Sequence, residues 1–397
     1  MRTSRTRVGL LAAVAIATIS MTVAACGGSD SSSSSTTKPA GNTIRIGLEG
    51  PLSGEQSNTG TGMLQGAQLA AEELNAAGGV LGKQIEIVPI DDQADPAAAV
   101  TAAQAAIDSG LNAVVGPYNS GAGVKTLPLY EQAGLVPLRL TSSDDTAGSG
   151  FTLQPMTSQI APVATNAITT WLGAKTVGII FDSTQEYTKD AEAAMQQQLA
   201  AAGATVTISE PISPDATSYT DAINKVAATN PEVIYIDTYY PEAGLIAKEM
   251  FDAKVPAKRM ADYGAYDLGF ITAAGLDAAK ACPIVGVPDP NDFPGSEPLV
   301  AAFTAKFSTE PGVWSPYTYD SVKLLAAKAT EAGSFDAEPL STALAATKDW
   351  KGWTGTVASF ESPSGNRQPA PVTVNLADAS GNFRVDQSWV TATGFVF

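Results

Sequence analysis

The residue types that do chemistry are unevenly supplied in this chain. It contains no histidine, which removes Ser-His-Asp and Cys-His catalysis and histidine-based metal sites. The Ser-x-x-Lys spacing occurs at Ser35 to Lys38, inside a serine tract that reads as a tether, and Gly-x-Ser-x-Gly does not occur. The stretch "GGVLGK", residues 78 to 83, approximates a phosphate-binding loop. However, Ala77 stands where that loop needs Gly, and Gln84 follows Lys83 in place of Ser or Thr. Asp91 and Asp92 are adjacent on a strand-like run. Neighbours on a strand point to opposite faces, so they make a poor acid–base pair for a surface hydrolase. The expectation is therefore no enzymatic activity, no metal and no cofactor. What the chain does supply is hydroxyls, glycines and tyrosines in six short stretches: "EGPLSGEQSNTG", "GPYNSGAG", "LTSSDD", "FDSTQEY", "DTYYPE" and "ADYGAYD". Polar, glycine-rich loops are ordinary between strands and helices, which accounts for part of this. Tyr187, Tyr239 and Tyr263 are less ordinary, because each follows a different strand-like run. Such a set suits reversible binding of a small molecule, polar, neutral or aromatic.

The elements that would present these loops alternate regularly. "TIRIGLEG" from residue 43 reads as a strand, and "TGMLQGAQLAAEELNAAGG" as a helix with Met63, Leu64, Ala67, Ala70, Ala71, Leu74 and Ala77 at helical spacing. "QIEIVPID" is a strand, Asp95-Pro96 supplies an N-cap and first-turn proline, and a helix runs to Gly110. The rhythm continues through "LNAVVG" and "LVPLRL", resumes at "TVGIIFD", and runs on through "ATVTIS" and "EVIYIDT" with a helix after each. Alternating β and α implies a parallel sheet covered on both faces. About five such units fall on each side of residue 155, which is more comfortable as two doubly wound lobes than as one sheet. Helices are expected near 298–308 and 316–332. "TGTVASF", "PVTVNL" and "FRVDQSW" then read as antiparallel strands joined by turns such as "SPSGN". In open α/β sheets ligands bind at the carboxyl ends of the strands, where the six stretches fall.

These loops resemble the extracytoplasmic substrate-binding proteins of ABC transporters for branched-chain amino acids and related amides, which have the type I periplasmic-binding-protein fold. The matching stretches are "IRIGLEGPLSG", "GAQLAAEELNAAGGVLGK", "IVPIDDQADPAAAV", "NAVVGPYNSG", "YEQAGLVPLRLTSS", "DTYYPEAG" and "PYTYDSV". The resemblance implies an α/β fold of two doubly wound parallel-sheet lobes joined by a three-crossing hinge. Lobe 1 would comprise residues 43–158 and 289–333, and lobe 2 residues 159–288 and 334–397. It also implies a monomeric receptor that closes over a small-molecule ligand and serves a membrane permease with ATPase subunits. Carried over by position, Ser120 binds a ligand carboxylate and backbone N–H groups near Ser142 and Ser143 assist. Thr59 and Tyr187 line the ligand, and Tyr239 closes over it, while Tyr240 points into the sheet packing. Bottom-up chemistry agrees for Ser120, which opens a helix whose N-terminal dipole favours an anion, though plain N-capping is open to it as well. Tyr263 stands where some relatives hold an ammonium with Glu, and the adjacent Asp262 could substitute for it. Asp144 stands where Thr is common; it either caps a helix or biases the pocket against a carboxylate. Some relatives carry a disulfide at positions matching Ala94 and Asn119, so that bond is absent here. An extracytoplasmic sensor domain is the alternative reading, but it would usually require a membrane helix leading to a signalling domain.

The N-terminal region bears on location. Arg2, Arg5 and Arg7 precede an almost wholly apolar or small run from 8 to 25, the layout of an export signal. Val23-Ala24-Ala25-Cys26 resembles a bacterial lipobox, which implies cleavage after residue 25 and lipidation of Cys26. Residues 26–42 then form a Ser-rich tether on the outer face of the bacterial cytoplasmic membrane. Lipidation would leave the second of the two cysteines, Cys282, as a free buried thiol. The formal charge is −17. Losing three Arg and no acids with the signal takes it to about −20, which disfavours nucleic acid and anionic lipid surfaces.

Overall fold

The computed structural model describes residues 41–214 and 216–395. The expected signal peptide, Cys26 and most of the tether lie outside the described residues. In chain order the first half holds β1 (Thr43–Gly50), α1 (Ser57–Ala76), β2 (Gln84–Asp91), α2 (Pro96–Asp108), β3 (Ala113–Val115), α3 (Ser120–Gln132), β4 (Pro137–Arg139) and β5 (Phe151–Thr152). Then come α4 (Thr157–Asn166), β6 (Thr176–Asp182), α5 (Glu186–Ala201), β7 (Thr205–Ile212), α6 (Thr220–Ala227), β8 (Val233–Asp237), α7 (Tyr240–Asp252) and β9 (Lys258–Ala261). The remainder holds α8 (Leu268–Ala274), α9 (Leu276–Ala279), β10 (Ile284–Gly286), α10 (Glu297–Phe307), α11 (Ser315–Ala332), α12 (Ala337–Ala345), β11 (Trp350–Gly352), β12 (Gly355–Val357), β13 (Ser359–Phe360), β14 (Arg367–Gln368), β15 (Thr373–Ala377), β16 (Phe383–Val385) and α13 (Gln387–Thr393).

The strands form two principal sheets. The first has the order β2-β1-β3-β4-β5 and is parallel throughout. The second has the order β16-β15-β10-β9-β8-β6-β7, in which β7 to β10 are parallel and β15 and β16 add an antiparallel edge. The parallel part of the second repeats the first, strand for strand. Each has a topological switch point, between β1 and β3 and between β6 and β8, where adjacent loops diverge and leave a crevice. This is the type I periplasmic-binding-protein arrangement. The chain passes between the sheets three times, near 153–156, 287–296 and 369–372.

The strands are apolar on both faces because helices cover both. Ile44, Ile46 and Leu48 of β1 lie in the core, while Gly47 on the opposite face abuts Ile90 and Leu111. Helix α1 packs on α11 at close range. Ser315 Oγ donates to the Gly62 carbonyl at 2.8 Å and Thr318 Oγ1 to that of Met63 at 2.7 Å. A Cβ at Gly66 would lie 2.1 Å from the Ser315 carbonyl oxygen. Gly66→Ala must therefore push the helices apart, at a cost of about 1–3 kcal/mol or more. Urea denaturation should show a lower midpoint with an unchanged slope, and an unchanged midpoint would refute this reading of the α1–α11 contact.

Two expectations for the tail are corrected. Residues 334–368, expected in the second lobe, associate with the first sheet. Helix α12 packs on α11, Gly148 N donates to Ser364 O at 2.8 Å, and Thr152 bridges to Asn366. The buried Arg139 completes the tie, donating to Ser364 O at 3.0 Å and to Asn366 Oδ1 at 2.6 Å. The stretch "FRVDQSW" is a strand only as far as Val385. Asp386 then caps α13 by accepting from the Ser388 and Trp389 N–H groups, an N-cap signal that the apolar alternation hides. Cys282 is buried with no disulfide, and burial pushes its thiol up to about 12.

Candidate functional site

A small, nearly closed cavity lies where the carboxyl ends of both sheets face each other. The first sheet contributes Tyr118 and Ser120 after β3, Leu140 and Ser142 after β4, and Gln154 after β5; the second contributes Tyr187 after β6, Tyr239 after β8, and Tyr263 and Gly264 after β9. No charged side chain is among these lining residues. Each βα connection here is a tight turn from strand into helix or 3-10 turn, so the residue beginning the next element is held at the strand end.

Of the expected residues, Ser120, Ser142, Tyr187, Tyr239 and Tyr263 come together in this lining. Ser120 does not cap its own helix. Its Oγ accepts from the Ser143 N–H at 3.1 Å, which leaves its own proton free to donate. Ser142 Oγ is in the same condition, accepting from Gln154 Nε2 at 3.0 Å. Both hydroxyls sit beside the N-terminus of α3, so this wall is rich in donors.

The other three expected residues have different work. Asp262 does not face the cavity. It accepts from the Tyr187 hydroxyl at 2.6 Å, from the Tyr235 hydroxyl and from the Gly264 N–H, and burial raises its pKa. It is a backing residue that aims Tyr187, and no oxygen remains for a ligand ammonium. Ser143 is spent locally, its N–H on Ser120 and its Oγ on the Asp145 N–H. Thr59 reaches across the cleft: its hydroxyl donates to Asp267 Oδ2 at 2.8 Å, and Asn58 Nδ2 donates to Oδ1 at 2.6 Å. Tyr240, expected to turn into the sheet packing, also crosses and donates to the Glu55 carbonyl at 2.6 Å. Asp144 caps α4 through the Ser158 N–H and Oγ, both at 3.0 Å, while its own N–H donates to Asp190 Oδ2 at 2.8 Å. These contacts join the two halves around the rim.

Two lining residues, and a third packed against the lining, carry no mark of the site in the sequence. Tyr118 was only part of "GPYNSG", and Gln154 sits on a short connection with no pattern around it. Trp314 packs on Tyr118 and Tyr263, with ring centroids 5.8 and 5.2 Å apart. Its position just before α11, far along the chain, gave no local sign.

The decisive comparison is with a family model described as periplasmic binding protein, which matches residues 43–379. The chain belongs to the periplasmic binding protein family. Among its relatives is an amino acid binding protein of Pseudomonas aeruginosa, 30% identical over 300 residues, spanning 74% of this chain and 80% of that one. The leucine-, isoleucine-, valine-, threonine- and alanine-binding protein of the same organism is 28% identical over 333 residues, spanning 82% and 86%. In structure, this binding protein matches a branched-chain amino acid transporter substrate binding protein from Streptococcus pneumoniae in complex with isoleucine. That match has a TM-score of 0.77, 26% identity, and covers 87% of this chain and 99% of the other. A leucine binding protein from Thermotoga maritima superposes with a TM-score of 0.80 at 22% identity, covering 86% and 97%.

Proposed function

We propose that this binding protein is the solute receptor of an ABC importer, closing two lobes over a small amino-acid-like or amide-like ligand in the cavity between Ser120 and Tyr239. The observation that carries the reading is the shared lining: residues from the carboxyl ends of both sheets meet around one space. The lobes are the two sheets with their covering helices, and the three crossings are the hinge. A filled cleft adds contacts to both lobes at once, so ligand shifts the population toward the closed form that a permease would read. No step of this needs covalent chemistry. The donor wall of Ser120, Ser142 and the α3 N-terminus receives the ligand's acyl oxygens, and the tyrosines enclose its body. The receptor works as a monomer at the outer face of the cytoplasmic membrane, held by a lipid on Cys26.

Thermal unfolding of the mature chain against a panel of amino acids, amides and short acids tests the receptor role. A ligand at 100 times its Kd adds roughly 2.7 kcal/mol, and Ser120→Ala should reduce that gain for a carboxylate or carboxamide ligand. A panel without a single stabilising compound would refute the reading. The anchor is tested separately: Cys26→Ala should release the protein from the membrane fraction, and unchanged retention would refute lipidation.

A further inference from the structure

Four tyrosines line the cavity, and Trp314 packs against two of them to close a circuit of ring contacts. Tyr118 neighbours Tyr239 at 6.4 Å between ring centroids, Tyr239 neighbours Tyr187 at 6.3 Å, and Tyr187 neighbours Tyr263 at 6.4 Å. Tyr263 neighbours Trp314 at 5.2 Å, and Trp314 returns to Tyr118 at 5.8 Å. Successive rings are inclined by 50 to 60°, as the staves of a basket would be, and unlike the parallel faces of a slot for a flat ring.

Buried carboxyls lie behind the basket, and burial holds them toward the neutral form. Asp262 accepts from the Tyr187 hydroxyl. Asp237, wholly buried at the end of β8, has neither oxygen hydrogen-bonded. No Lys or Arg is among the groups acting on Tyr118, Tyr187, Tyr239 or Tyr263, whose neighbours are other tyrosines and buried carboxyls. No carboxylate oxygen faces the cavity, however, because Asp262 is spent on hydroxyls and Asp267 on Asn58 and Thr59. A primary ammonium brings three N–H donors that need acceptors. The lining offers it only uncharged ones, hydroxyls and Gln154 Oε1, which is buried without a partner. A methylated ammonium brings no N–H and takes ring faces as its counter-charge. The opposite wall, with the free protons of Ser120 and Ser142 and the α3 N-terminus, supplies donors for an acyl oxygen.

We propose that the ligand of this cleft is a small betaine-type solute, with its quaternary ammonium seated among the four lining tyrosines and its carboxylate on Ser120 and Ser142. This rests on the receptor reading above and narrows its ligand from amino-acid-like compounds in general to N-methylated ones. Calorimetric titration of the mature protein with glycine betaine, 3,3-dimethylbutanoate and L-leucine tests it, because the second compound copies the first in shape without the charge. Glycine betaine should bind at least about tenfold more tightly than either. Tyr239→Phe, which keeps the ring face, should hold affinity within a few-fold, whereas Tyr239→Leu should lose about tenfold or more while circular dichroism confirms folding. If L-leucine or 3,3-dimethylbutanoate binds as well as glycine betaine, the methylated-ammonium assignment is overturned and the receptor role stands. If none of the three and no compound of the broader panel binds, both fall.

Discussion

Glu49→Gln is expected to flatten part of the pH dependence of this protein's stability and to make it more stable than the parent at pH 8. Glu49 ends β1 wholly buried, with neither oxygen in a hydrogen bond of normal geometry, although the Thr126 and Tyr130 hydroxyls lie beside it. Burial, reinforced by the neighbouring Asp92, pushes its carboxyl from 4.5 up to about 8. Asp92 itself is pushed up to about 7, chiefly by burial. The folded chain thus keeps a proton on Glu49 that the unfolded chain releases near pH 4.5. A folded-state pKa above the unfolded one gives stability that is full below about 4.5 and lost as pH rises through about 8. At about 1.4 kcal/mol per pH unit, the Glu49 contribution falls by roughly 4 kcal/mol between pH 5 and pH 8. Gln is close to isosteric with the protonated acid and does not titrate, so the variant keeps only the slope from Asp92 and other buried carboxyls. Urea unfolding at pH 5, 6, 7 and 8 measures the difference directly. Parallel curves for parent and variant would mean that Glu49 is ionised in the fold, with water or a cation reaching it.

The legibility of this protein follows the range over which each signal acts. The βα alternation was visible because burial on both faces gives strands such as "TVGIIFD" and "VIYID" continuous apolar runs, and amphipathic helices separate them. Local caps marked helix starts: Asp95 accepts from the Ala97 and Ala98 N–H groups, as its position before Pro96 suggests. Lobe membership of the tail was not visible. It depends on Arg139 meeting Ser364 and Asn366 more than two hundred residues away, and on Asp320 of α11 accepting from the Trp353 and Thr354 N–H groups at 2.7 Å. Neither contact leaves a periodic trace. In the site, strand-end position singles out the three tyrosines and the resemblance singles out Ser120 and Ser142, and all five line the cavity because the sheet fixes where those ends lie. Direction was harder. Thr59 and Tyr240 are one turn or less from the cleft, yet both extend across it to the other half. Asp262, expected beside the ligand, is drawn behind the lining by its two tyrosine partners.

That displacement of Asp262 carries the second large effect. Asp262→Ala should destabilise the fold by roughly 3–5 kcal/mol and weaken ligand binding, even though the residue touches no cavity surface. Its carboxyl is 1% exposed and takes hydroxyl protons from Tyr187 of α5 and Tyr235 of β8, and it caps the turn that presents Tyr263. Removing it leaves two buried hydroxyls without an acceptor, each at about 1–3 kcal/mol, together with a cavity lined by polar atoms. Tyr187 then has no reason to hold its ring against Tyr239 and Tyr263, 6.3 and 6.4 Å away, so the wall of the site loosens with the core behind it. Asp262→Asn separates the two consequences. The amide keeps the shape and one good acceptor, so most of the stability should return, while the side chain can no longer accept both hydroxyls as a carboxyl can. Urea midpoints of the three proteins, with calorimetry on whichever ligand the panel identifies, provide the measurement. If Asp262→Ala lost less than about 1 kcal/mol, water would be replacing the carboxyl, and the support of the tyrosine wall would have to lie elsewhere.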